Sequence, residues 1–237
     1  MNSNAVVAAK LNFRNIKPAY AITALVCLIV ILQDIIMLIL ENTGVLSDNT
    51  DNSTVGLGNY LYLLIILSAV LIPSMNFRKM MNLGCKRAGF IRGCAVTYAV
   101  MAAAVSFAGI VLYYTYERYV SYAYNKGGVM NLLDIFGWMN NGPVAAFFQQ
   151  FAFLLLLAVI LHTLTSLQDK WYGWLTDLVL IAIISVFTPI MPLRQSLKWF
   201  FYQIIFHQNA LWQIAACLVI SAAAYALNRP IFARKAI

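Results

Sequence analysis

The chain has 237 residues, of which 62% are hydrophobic and only 10% charged, with a formal net charge of +8. A soluble globule carries nearer a quarter charged residues, so this composition excludes one and describes an integral membrane protein. The positive charge requires no nucleic-acid partner, because its lysines and arginines gather where membrane topology and anionic lipid place them.

In chain order, the first element is the basic stretch AVVAAKLNFRNIK. Val6, Ala9, Phe13 and Ile16 recur at helical spacing, with Lys10, Arg14 and Lys17 on an adjoining edge, which predicts an interfacial helix over 1–19 that halts near Pro18. Six apolar runs follow, at 21–40, 57–75, 94–114, 143–164, 174–191 and 210–227. Each approaches the roughly 20 residues a helix needs to cross a bilayer, and none alternates as a barrel strand would. The first is too long for a signal-peptide core and reads as a retained helix.

The connections differ in character. Residues 41–56 are polar and acidic, include the glycosylation-type tripeptide Asn52-Ser53-Thr54, and read as a solvated loop. The loop 76–93, NFRKMMNLGCKRAGFIRG, carries Arg78, Lys79, Lys86, Arg87 and Arg92 and no acid. Tyr113, Tyr114, Tyr116, Tyr119, Tyr122 and Tyr124 form an aromatic belt at the far end of the third run. The following VMNLLDIFGWM is expected to lie flat on the outer surface, and Trp171, Tyr172 and Trp174 anchor the fifth run. Pro189 and Pro192 break the chain before 192–209, which is too short in apolar length to span and is expected to be re-entrant or to lie in the outer interface.

Orientation follows from the cations. With the N-terminus inside, Lys10, Arg14, Lys17, the five of the 76–93 loop, Lys170, Arg229, Arg234 and Lys235 are cytoplasmic, whereas Arg118, Lys126, Arg194 and Lys198 are outside. Twelve against four places both termini in the cytoplasm. The expected fold is an all-α integral membrane domain over 1–237, with six transmembrane helices, an N-terminal interfacial helix and a short re-entrant or outer helix before the last span.

Chemistry-bearing motifs are sparse. There is no paired-histidine metal motif, no filter-like TVGYG stretch and no phosphate-binding GxxxxGK[ST] loop, so no catalytic residue, metal or cofactor is expected in this chain. Cys27, Cys85, Cys94 and Cys217 form no C-x-x-C pair and read as structural. His162 reads as a capped or interfacial histidine at the inner end of the fourth run. Gln33, Asp34, Gln149 and Gln150 stand at membrane depth, and Asp177 near an inner end. A carboxylate in hydrocarbon is costly, so Asp34 must face protein or water, and these four are candidates both for a translocation path and for interhelical packing.

The cationic loop has pattern beyond its charge. Phe77, Met80 and Met81 share a helical face, Gly84 and Gly89 can punctuate a helix, and Phe90-Ile91 lead back to the membrane. With Phe77, Lys79, Met80, Gly84, Lys86, Arg87 and Phe90 at these spacings, and with this order of elements, the chain resembles the permease subunits of ABC-2 type (type V) ABC exporters. The motif covers 76–93 and the topology the whole chain. The resemblance implies a coupling helix that contacts a separate ABC ATPase through Phe77, Lys79, Met80, Met81, Leu83, Gly84, Lys86, Arg87 and Phe90. It also implies ATP and magnesium held by that partner chain, a second permease copy or related permease beside this one, and a bacterial cytoplasmic membrane. The small permeases of this kind export, or confer resistance to, antimicrobial or amphipathic peptides. The alternative is a six-span substrate-binding component or membrane sensor with no ATPase contact at 76–93.

Overall fold

The computed structural model describes residues 3–43, 54–123, 129–168 and 171–233. Asn52, Ser53, Tyr124, Lys126, Lys170, Arg234 and Lys235 therefore lie outside the described residues. Hydrocarbon offers backbone polar groups no partner, so apolar runs of this length satisfy their own hydrogen bonds as helices.

Helix α1 (Ser3–Asn15) runs into α2 (Lys17–Asn42). A short strand β1 (Thr54–Val55) and the single turn α3 (Leu57–Tyr60) lead into α4 (Tyr62–Leu71), which passes through a π-helical turn, Ile72–Asn76, to α5 (Phe77–Asn82). Helix α6 (Arg87–Leu112) continues through a second π-helical turn, Tyr113–Glu117, into α7 (Arg118–Ala123). Strand β2 (Val129–Met130), α8 (Leu132–Ile135) and a 3-10 turn (Trp138–Asn141) precede α9 (Pro143–Leu167). The chain closes with α10 (Trp171–Phe187), α11 (Met191–Phe201) and its π-helical end Tyr202–Phe206, then α12 (Ala210–Ala226) and α13 (Asn228–Ala233).

Among the described residues, five stretches are long and apolar enough to cross a membrane: Lys17–Leu40, Leu57–Asn82, Arg87–Ala123, Pro143–Leu167 and Ala210–Phe232. The fifth run, expected at 174–191 with a break at Pro189 and Pro192, is the first arm of a bent pair, Gly173–Phe187 and Met191–Phe206, which meet at 115°. Proline explains the break. Pro189 has no N–H to offer the preceding turn and its ring obstructs the carbonyl four residues back, while Pro192 suits the first turn of the helix that restarts. The chain is an all-α multi-pass membrane protein whose described residues hold five helices long and apolar enough to span, or six when the bent pair counts as one.

Helix α9 is the axis of the bundle and packs against α4, α6 and α12. Helix α1 packs along α6 on a face different from the one its apolar stripe suggests. Ala5, Ala8, Ala9, Asn12 and Ile16 are buried, whereas Val6 remains 45% exposed. The reason is closeness. A Cβ added at Gly93 of α6 would stand 2.5 Å from the Ala8 Cβ, so two small residues let the backbones approach, and the larger Val6 is left on the outer face.

The 3-10 turn does not lie flat on a surface. Trp138 is 1% exposed, packs with Leu133 and Ala146, and donates its indole N–H to the Ile205 carbonyl at 2.9 Å. A tryptophan buries its ring wherever its one donor finds an acceptor, and here the π-helical end of α11 supplies one. Strands β1 and β2 pair in parallel, Thr54 with Val129 and Val55 with Met130, tying this cap to the start of α3. By contrast α11 buries no residue, and sets Arg194 and Lys198 against Trp199 and Phe200 as an amphipathic helix does.

Candidate functional site

Two ends of the bundle differ in chemistry. One holds the turn between α5 and α6, with most of the described cations. The other holds the tyrosines around Tyr113–Glu117.

At the cationic end, the turn is built by local backbone chemistry. Gly84 takes φ 78°, a left-handed conformation that glycine adopts without penalty. Its N–H donates to the Met81 carbonyl at 2.9 Å and the Cys85 N–H to the Met80 carbonyl at 3.0 Å, the paired bonds of a Schellman helix end. Lys86 is extended and serves as the N-cap position of α6.

Packing decides which side chains the turn presents. Phe77 meets Phe90 with ring centroids 5.4 Å apart and Phe232 at 5.0 Å, while Phe90 and Phe232 are 5.4 Å apart. All three rings are 0% exposed, and Met80 is 1% exposed in the same core. The Arg87 guanidinium donates to the Phe232 carbonyl at 2.9 Å, fastening α13 to the start of α6. Phe77, Met80 and Phe90, expected to face a partner, are therefore interior residues. The apolar face of α5 is covered by α6 and α13 of its own chain. Leu83 is 73% exposed, and Lys79, Gly84 and Lys86 are exposed beside it, with Met81 half-buried.

A groove of about 510 Å³ opens between the end of α1 and this turn, lined by Leu11, Arg14, Asn15, Lys79, Asn82 and Leu83. Its α1 side had no signature in the 76–93 pattern, because 64 positions separate the two segments that a buried amide pair joins. The Asn76 amide donates to Asn12 Oδ1 at 3.3 Å, and the Asn12 amide donates to Thr97 Oγ1 at 3.4 Å. A polar Asn12 inside an otherwise apolar stripe was the available signal.

The candidate path residues do not share one space. Gln33 is exposed on α2, and Asp34, 4% exposed, accepts the Tyr116 hydroxyl at 2.8 Å. Gln149 and Gln150 are instead in the bundle interior on α9. Gln150 donates to the Tyr62 hydroxyl at 3.2 Å and Gln149 accepts from Asn141 at 3.4 Å. Asp177 accepts from Gln168 at 3.0 Å. His162 is neither a cap nor interfacial. It is 0% exposed, with Nδ1 2.7 Å from the Tyr98 hydroxyl, because α6 and α9 face each other there.

No protein-family model, curated protein or solved structure matches this chain.

Proposed function

We propose that the chain is the membrane-spanning subunit of an ATP-driven exporter of the ABC-2 type, with its cationic end in the cytoplasm and amphipathic or antimicrobial peptides as its substrates. The observation that carries the reading is the α5–α6 turn. It is locked from behind by three phenylalanines and a Schellman end, and it offers exposed Leu83 between Lys79 and Lys86 over the groove beside Arg14. A small rigid knob ringed by cations suits an acidic, partly apolar recess on a separate ATPase, which would bind ATP and magnesium. Two copies, or this chain and a related permease, would pair to enclose the translocation path in the bacterial cytoplasmic membrane.

One observation favours the alternative, a six-span binding component or sensor without ATPase contact. Phe77 and Met80, the largest apolar groups of the turn, are spent inside the chain. Co-expression with P-loop ATPases encoded nearby decides between them. An ATPase should stay bound to the affinity-purified parent and be lost when Lys79→Glu and Leu83→Glu are combined, whereas a parent that retains none favours the alternative.

Orientation has its own test. With Cys85 replaced by serine, cysteine at Tyr122, 88% exposed, should label with an impermeant maleimide added to intact cells. Cysteine at Leu83 should label only after permeabilisation. Equal labelling of both before permeabilisation overturns the assignment of the cationic end to the cytoplasm.

A further inference from the structure

At the end opposite the cationic turn, a cavity of about 500 Å³ is lined by Tyr113, Tyr114, Glu117, Arg118, Asn131 and Asp134 among others. Its floor is unusual. Glu117 is 3% exposed, yet it accepts from the Gly58 N–H at 2.8 Å and from the Asn131 amide, both neutral donors. Gly56 makes room for the carboxylate, since a Cβ there would stand 2.8 Å from Oε1. Neutral donors orient a carboxylate without cancelling its charge, and no cation pairs with Glu117 among the described residues.

The wall adds the rest. Asp134, exposed to the cavity, accepts the Tyr113 hydroxyl at 2.8 Å. The Tyr113 and Tyr114 rings stand edge to face with centroids 5.3 Å apart. Among the described residues of the lining, two carboxylates outnumber the single cation Arg118, and two aromatic rings stand beside them. Such a pairing of acid and ring attracts a cation through both charge and the ring quadrupole.

We infer that this cavity binds an organic cation, an amine or guanidine carried on an apolar body. The ligand's charged head is held by Glu117 and Asp134, and its body rests on Tyr113 and Tyr114. The inference does not depend on coupling to an ATPase, nor on which membrane face the cavity opens to.

The test uses the full chain in nanodiscs of zwitterionic lipid, with dansylcadaverine as probe and its N-acetylated, uncharged analogue as control, read by fluorescence anisotropy against empty discs. Saturable binding of the amine is expected, with at least about fivefold weaker binding of the analogue. Asp134→Asn, which keeps an acceptor for Tyr113, should weaken the amine about fivefold, and Arg118→Gln should strengthen it about threefold. Opposite signs for two exposed cavity residues cannot come from a general loss of fold. Equal affinity for amine and analogue, no saturable binding, or no change in either variant overturns the proposal.

Discussion

Phe77→Ala should destabilise the folded chain by about 3–5 kcal/mol, while Leu83→Glu, in the same turn, should leave its stability unchanged. The difference follows from burial. Removing the Phe77 ring opens a void between Phe90 and Phe232, whose centroids lie 5.4 and 5.0 Å from it, and the Schellman end leaves the backbone little freedom to collapse into that space. Leu83 is 73% exposed and leaves no cavity when replaced. With the half-buried Cys27 and Cys85 replaced by serine, thermal unfolding followed with a thiol-reactive dye reports this directly, because Cys94 and Cys217 are fully buried and react only as the bundle opens. A Phe77→Ala protein that melts with the parent would show that the turn is not fastened to α6 and α13 as described.

Trp138→Ala should cost about as much, 3–5 kcal/mol, and Trp138→Phe only about 1–2 kcal/mol. Alanine removes a ring that fills the space among Leu133, Ala146 and Phe153 and deletes the bond to the Ile205 carbonyl. Phenylalanine keeps a six-membered ring in that space and loses the bond together with the volume of the five-membered ring. The ordering parent, phenylalanine, alanine in unfolding temperature separates a packed plug from a surface tryptophan, for which all three would melt alike.

The helical class and the positions of the apolar runs were legible in the sequence because lipid imposes one uniform demand, apolarity sustained over a fixed length. What the turns do with their side chains was not. Phe77 and Met80 look like Leu83 in a composition, and only the arrival of Phe232 from the far end of the chain decides which of them is covered. The same holds for Trp138, whose acceptor lies 67 positions away. Tyrosines before a polar loop read as an interfacial belt. Their role in holding acids appears only when Asp34 and Asp134 reach the hydroxyls of Tyr116 and Tyr113 from separate segments. Even the straightness of a helix is conditional, since Pro189 and Pro192 were visible but the 115° angle between the two pieces is set in three dimensions.

The clamp behind the α5–α6 turn makes α6 a rod gripped at one end. It spans 26 residues, about 39 Å at roughly 1.5 Å per residue. By rigid-body leverage, a tilt of about 5° at the Arg87 end carries the Leu112 end sideways by about 3 Å on that length. The bonds that leave the following turn toward Gly58 and Asp34 are both 2.8 Å long, and neither tolerates such an excursion intact. Any torque applied at the cationic end must therefore either be resisted by the whole bundle or be discharged where Glu117 and Tyr116 hold their partners.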